Sequence, residues 1–255
     1  MSVLDKFKLD GKVAIVTGGG RGIGEAIAIA LAEAGADVAV CARTDKQIKE
    51  VAGKIEKIGR RALAIPTDVR KWEQVQNMAD KTVAELGRVD ILVNNAGILG
   101  YAWLLDTPEK TWHDIIDTNL TSVFLCTKAV GKYLIKQKSG KVINVASAAG
   151  VAGSPRQAPY HASKAGIILF TKALALEWNR YNINVNTIAP GFFITDMTKP
   201  ITFDKKFYEK FLEKIPLRRL GNPEEIGPLA VYLASDASSY MTGETIVIDG
   251  GVTAY

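Results

Sequence analysis

The sequence predicts an α/β fold in which helices cover both faces of a doubly wound, seven-stranded parallel sheet. Three observations carry this. A short β-branched run, a turn and an amphipathic helical stretch recur along all 255 residues, and strands alternating with helices make parallel βαβ units. The strand candidates are near-continuous apolar runs, as a sheet covered on both faces requires. No linker rich in Pro, Gly or Ser interrupts the alternation, which predicts one domain over residues 1–255.

Val13 to Thr17 reads as the first buried strand, and Gly22 to Ala34 as a helix with Ala and Ile at helical spacing. Asp37 to Ala42 is the second strand, followed by a helix near Asp45 to Ile58. Ala62 to Pro66 and Lys71 to Leu86 form the third pair. Asp90 to Val93 is a fourth strand, ahead of a long helix predicted from about Pro108 to Lys136. Lys141 to Ala146, Asn184 to Ile188 and Glu244 to Ile248 complete the strands, with a helix from Pro159 to Asn179 between the fifth and sixth. The long non-repeating insertion, Gly191 to Arg219, follows a strand and is a candidate lid over a site.

Composition bounds the function. The formal charge of +5 is modest and spread along the chain, which argues against nucleic acid. Cys41 and Cys126 lie in apolar runs without metal-ligand spacing, as expected in a reducing compartment. His113 and His161 are too few for a metal site. The first twelve residues are polar and no run reaches the roughly 18 apolar residues of a membrane span, so a cytoplasmic protein is expected.

Thr17-Gly18-Gly19-Gly20-Arg21-Gly22-Ile23-Gly24 follows the first strand and opens the first helix. Glycines there let the backbone turn tightly and approach a pyrophosphate, whose charge the helix N-terminus stabilises. The spacing Gly18-x3-Gly22-x-Gly24 departs from the general G-x-G-x-x-G fingerprint, so placement rather than pattern carries this Rossmann-type reading. Folds that prefer NAD usually place an acid at the end of the second strand, to hold the ribose 2′-hydroxyl. Here Ala42, Arg43 and Thr44 stand there, and Arg43 with Arg21 is expected to face a 2′-phosphate. NADP(H) is therefore the expected cofactor, in preference to NAD(H).

Tyr160 and Lys164 are four residues apart near a helix start and share one face. An apolar stripe of Ala162, Ala165, Leu169, Ala173 and Leu176 is expected to bury that helix. A phenol is a weak acid at neutral pH, and a neighbouring ammonium favours its ionised form, so Lys164 is expected to bring Tyr160 toward the range useful for proton transfer. Ser147 stands at the carboxyl end of the fifth strand, where sites form in parallel sheets.

With these residues the chain closely resembles the short-chain dehydrogenase/reductase family, over essentially its whole length. The glycine loop (Gly18, Gly22, Ile23, Gly24) looks like that family's cofactor loop. Asp68-Val69 matches its adenine-contacting pair and Asn94-Asn95-Ala96-Gly97 its fourth-strand motif. Pro190-Gly191 with Thr195 matches the segment that contacts the nicotinamide, and Asn119, Ser147, Tyr160 and Lys164 occupy its catalytic tetrad. The resemblance implies that Tyr160 exchanges a proton with the carbonyl oxygen and Ser147 holds that oxygen. It implies that Lys164 binds the nicotinamide ribose and Asn119 a water on the proton path.

His161 points away from Tyr160 around the helix and is expected to be structural. Leu99, Tyr101 and Trp103, and the insertion's Phe192, Phe193, Phe203, Phe207, Tyr208 and Phe211, are candidate cleft walls shared with ordinary packing. Ser154 and Gln157 are candidate polar substrate contacts. The two long helices and the tail from Asp249 to Tyr255 resemble segments that join subunits in the family, so a homotetramer is expected. Two substrate classes compete. Leu174 to Trp178 and Phe192 to Thr195 look most like sugar-acid and polyol dehydrogenases of the gluconate 5-dehydrogenase kind. Ser239 to Glu244 is as similar to 3-oxoacyl-acyl-carrier-protein reductases, and general ketone reduction stays open. A non-catalytic NADP(H) sensor on the same fold would have lost a tetrad residue, and none is lost here.

Overall fold

The computed structural model describes residues 2–199 and 205–254. Seven strands form one sheet of order β3-β2-β1-β4-β5-β6-β7, with every neighbouring pair parallel. They are β1 (Val13–Thr17), β2 (Asp37–Ala42), β3 (Ala62–Pro66), β4 (Ile91–Asn94), β5 (Gly140–Val145), β6 (Ile183–Pro190) and β7 (Thr245–Ile248). The first three match their expected bounds; the others shift by one residue or, for β6, extend. Asp90 falls just before β4; its backbone bonds Val13 O and Lys141 N, and its carboxylate accepts from Val13 N at 3.0 Å and from the Arg88 guanidinium.

The helices are α1 (Gly22–Glu33), α2 (Asp45–Lys57), α3 (Trp72–Leu86), α4 (Glu109–Ile116), α5 (Ser122–Gln137), α6 (Ala158–Trp178), α7 (Lys205–Leu212) and α8 (Gly227–Ala234). Alternation along each strand sends side chains to two opposite cores, as a pleat with period two demands. Ala14 and Val16 pack with Ile27, Leu31, Ile48 and Val51 of α1 and α2, and with Ala230 and Leu233 of α8. Ile15, between them, packs with Val75 and Met78 of α3, Cys126 and Val130 of α5, and Leu174 of α6.

Two expectations need correction. The long helix from Pro108 is not uniform: Pro108 caps α4, and Asp117–Thr121 forms a π-helical turn before α5. The cause is Asn119, whose amide is drawn out of the helical frame to clamp the backbone of Ile98 on both its N–H and its carbonyl. Such turns recur at functional positions. Second, the predicted stripe on α6 is the outer face. Leu169 and Leu176 are 67% and 76% exposed, and Ala162, Ala165 and Ala173 are exposed too. The buried face is Ser163, Lys164, Ile167, Ile168, Thr171, Leu174 and Ala175. Three polar side chains on this face hid it from a hydrophobic pattern. Helices α7 and α8 are not among the expected elements; the apolar residues of α8 leave no polar stripe to mark a period.

Candidate active site

The strand order reverses between β1 and β4, and open α/β sheets bind ligands in the crevice beyond the carboxyl ends at such a point. The glycine loop occupies one side of it. Gly18 takes φ +63°, and a Cβ there would lie 2.9 Å from Cα of Ala96. A Cβ on Gly24 would meet the Gly18 carbonyl oxygen at 2.3 Å. Helix α1 opens directly afterwards, and the residue before it, Arg21, makes no side-chain cap. A glycine-lined cradle against an uncapped helix N-terminus fits an anionic pyrophosphate.

The opposite wall is stitched to this loop. Thr17 Oγ1 donates to Val93 O and accepts from the N–H groups of Asn95 and Ala96, while Asn95 Nδ2 donates to the Thr17 and Gly18 carbonyls. Thr17 is a functional residue that the sequence reading passed over; its signal was a hydroxyl ending an otherwise apolar strand. Gly97 follows and borders Asn119 and Lys164 Nζ. Ile23 packs on the core beneath the loop, and Val69 is buried beyond β3.

The two arginines expected to share a phosphate have separate partners. Arg21 donates to Asp196 at 2.9 Å, tying the glycine loop to the insertion, and Lys199 pairs with the same carboxylate. Arg43 is exposed at the end of β2, and its charge acts on Asp68. Asp68 is held by a bidentate contact from Arg70, whose hydrogen bonds bring its carboxyl down to about 2.

Ser147, Tyr160 and Lys164 meet beyond the end of β5. Ser147 Oγ accepts from Ala149 N at 3.1 Å, contacts Pro190 O at 3.4 Å and hydrogen-bonds the Tyr160 side chain. Lys164 is buried; its Nζ donates to Val145 O at 2.9 Å and lies 5.6 Å from the Tyr160 ring centroid. Among the protein groups alone, burial pushes the Tyr160 phenol up, against a smaller lowering by Ser147, and pushes Lys164 down to about 8. The expected lowering of Tyr160 by Lys164 is thus not what the protein groups produce. In a medium of low polarisability an unpaired ammonium sheds its own proton before it stabilises a neighbour's charge.

Asn119 is fully buried and joins this group through Ser163: its Nδ2 donates to Ser163 Oγ at 3.1 Å, and Ser163 Oγ donates to Tyr160 O at 2.7 Å. Its side chain fastens the Ile98 backbone. Pro190 and Gly191 close the far side, with Gly191 N donating to Ile248 O. Thr195 lies against Gly22, where a Cβ would approach its methyl at 3.2 Å.

On the substrate side Phe193 is core and Phe192 stacks edge-on against Phe211 at 4.7 Å. Phe203 and the side chain of Phe207 lie outside the described residues. Tyr101 and Trp103 are exposed by more than half, and Gln157 hydrogen-bonds both Ser154 and Tyr101. His161 serves the loop before α6: Ser154 N donates to Nε2, which makes Nδ1 the protonated nitrogen that donates to Ala149 O. Among the described residues no cluster could hold a metal ion, and no helix is long and apolar enough to cross a membrane.

A family model described as enoyl-(acyl carrier protein) reductase matches residues 18–253. A 3-oxoacyl-[acyl-carrier-protein] reductase of Synechocystis is 44% identical over 97% of this chain and 99% of its own length. A short-chain type dehydrogenase/reductase from Mycobacterium marinum, 43% identical, superposes with a TM-score of 0.95 over 100% of both chains. So does a gluconate 5-dehydrogenase from Burkholderia cenocepacia, solved in complex with NADP and tartrate, at 37% identity and the same TM-score and coverage. The seven-stranded sheet, its crevice and these relatives together establish that the chain belongs to the short-chain dehydrogenase/reductase family and is an oxidoreductase acting on alcohol or ketone groups.

Proposed function

We propose that this chain exchanges a hydride between NADP(H) and a sugar acid or polyol, in the manner of a gluconate 5-dehydrogenase, within one domain whose insertion at about 191–219 borders the substrate. The observation that carries the reading is the convergence of Ser147, Tyr160 and Lys164 beside the glycine cradle, at the one point where the sheet order reverses. When bound, the nicotinamide supplies or accepts the hydride. Ser147 holds the substrate oxygen by a hydrogen bond, and Tyr160, already bonded to Ser147, gives that oxygen its proton during reduction. Lys164 binds the nicotinamide ribose, and Asn119 holds α4, the Ile98 backbone and α6 in the arrangement that keeps Tyr160 in place. Gly18, Gly22 and Gly24 admit the pyrophosphate. Arg43, exposed where an NAD-preferring fold places an acid, receives the 2′-phosphate.

The full-length likeness to the Burkholderia gluconate 5-dehydrogenase supports the substrate class. The similarity to the Synechocystis enzyme favours a second reading, reduction of a 3-oxoacyl thioester carried on an acidic protein. Initial rates with NADPH and NADH, on a 5-keto sugar acid, a 3-oxoacyl thioester and a simple diketone, separate the two. Faster turnover of the keto acid with NADPH supports the proposal; preference for the thioester replaces it with the second reading, and equal use of NADH removes the cofactor preference.

We also propose a homotetramer. Ala162, Ala165, Leu169, Ala173 and Leu176 form an outward apolar face on α6, next to exposed Phe124 on α5. A monomer mass by light scattering at micromolar concentration removes this part.

A further inference from the structure

Arg156 stands in an unusual position. It takes φ +69°, in the left-handed region where a side chain is strained and glycine is not. Two of the other residues with such angles, Lys138 and Asn182, end helical segments, where this conformation is a normal stop signal. Arg156 ends no helix; it precedes the residue that caps the start of α6. Strain kept away from a helix end points to a use for the side chain.

The surroundings define that use. The segment bearing Arg156 is fastened on three sides: Ala102 N donates to Arg156 O at 3.0 Å, His161 holds Ser154, and Ser154 and Tyr101 hold Gln157. Its guanidinium lies 5.8 Å from the centroid of the exposed Trp103 ring and pairs with no carboxylate among the described residues. Neither Asn95 to Leu105 nor Ser147 to Lys164, the two stretches that border the catalytic hydroxyls, contains Asp or Glu. Ala102 N bonds Arg156 O, Tyr101 bonds Gln157, and Gln157 caps the helix that carries Tyr160, which sets the guanidinium beside the same cleft. A planar cation backed by an indole, without a protein counter-ion, is suited to a carboxylate.

We propose that Arg156 determines specificity by binding the carboxylate of the substrate while its carbonyl end rests on Ser147 and Tyr160. This rests on the sugar-acid reading, and Gln157 and Tyr101 complete the rim as neutral hydrogen-bonding groups.

The test uses the full-length enzyme with NADPH and the variants Arg156→Gly and Arg156→Lys. Glycine relieves the left-handed conformation, so loss of fold is not the expected result. The first readout is kcat/KM for a 5-keto sugar acid divided by that for a neutral diketone. The second is inhibition of diketone reduction by tartrate. The expected outcome is a ratio at least tenfold lower, and a tartrate inhibition constant at least tenfold higher, in Arg156→Gly, with Arg156→Lys between it and the wild type. Equal losses on both substrates, with tartrate inhibition shifted less than threefold, overturn the proposal and leave a structural role. If the wild type reduces the diketone and not the keto acid, the sugar-acid reading fails, and the tartrate constant still decides for or against Arg156.

Discussion

Replacing Lys164 by Met should destroy activity and make the protein more stable, and the gain should depend on pH in a defined way. Lys164 is 4% exposed and finds one neutral partner, Val145 O. Burial lowers it from 10.5 to about 8, which at roughly 1.4 kcal/mol per tenfold change in acidity amounts to about 3 kcal/mol against its charged form. Below pH 8 both folded and unfolded chains carry the proton, and the wild type bears that cost in full. Between about pH 8 and 10.5 the unfolded chain binds the proton and the folded one does not, so wild-type stability rises with pH. Methionine matches the length of the stem, carries no charge and forgoes the bond to Val145 O, a loss of about 1 kcal/mol. At pH 7, without cofactor, Lys164→Met should therefore exceed the wild type by about 2 kcal/mol. From pH 7 to 10 that lead should shrink by about 2 to 3 kcal/mol. Urea unfolding of both proteins at half-unit pH steps reads the difference directly, since other titrating groups are common to the pair. A difference that stays constant across this range would mean that the ammonium is solvated or paired in the folded protein, and the argument from burial would fall.

Burial also holds the Tyr160 proton, so the ultraviolet difference titration between wild type and Tyr160→Phe, without cofactor, should show its ionisation above pH 10; a midpoint at or below 9 contradicts this. The same variant should keep NADPH binding by fluorescence and lose about 10²- to 10⁴-fold in kcat. Asn119→Ala leaves Ile98 N–H without its partner and should cost about 1–3 kcal/mol in urea unfolding, with kcat falling because α6 loses its link through Ser163. Gly24→Ala places a methyl 2.3 Å from Gly18 O and should raise the dissociation constant for NADPH at least tenfold, while unchanged binding would show that the loop yields. Arg43→Ala should bring the NADPH and NADH values of kcat/KM together; an unaltered ratio would transfer the 2′-phosphate to another residue.

Much of the site could be read from the chain because it is built from residue types with few alternative uses. Glycines between a strand and a helix, a Tyr and Lys one turn apart, and a Ser ending an apolar strand each restrict the geometry around them. The first two strands are legible for a related reason: Val, Ile and Ala runs covered on both faces have a single structural solution. The failures lie where a polar residue belongs to the interior. Helix α6 buries Ser163, Lys164 and Thr171, so the exposed Ala and Leu positions formed the cleaner hydrophobic stripe and drew the wrong inference. The clamp that Asn119 makes on the Ile98 backbone, 21 residues away, leaves no mark in the local sequence. The pairing of Arg21 with Asp196 is likewise invisible locally, because Asp196 lies 175 residues further along the chain.

The turn at Asp117–Thr121 sets the phase of everything after it. An α-helix advances about 100° per residue, so one residue more or fewer rotates the remainder of the helix by that angle. Val123, Cys126, Ala129, Val130 and Leu134 face the core in α5 only because the wider turn precedes them, whereas Ile115 faces it from α4. Ile115 and Val123 are eight residues apart, about 80° out of phase under regular winding, whereas seven residues would leave them about 20° apart, so the wide turn absorbs one extra residue. The extra residue lets Asn119 reach the Ile98 backbone while both flanking helices keep their apolar rows on the core.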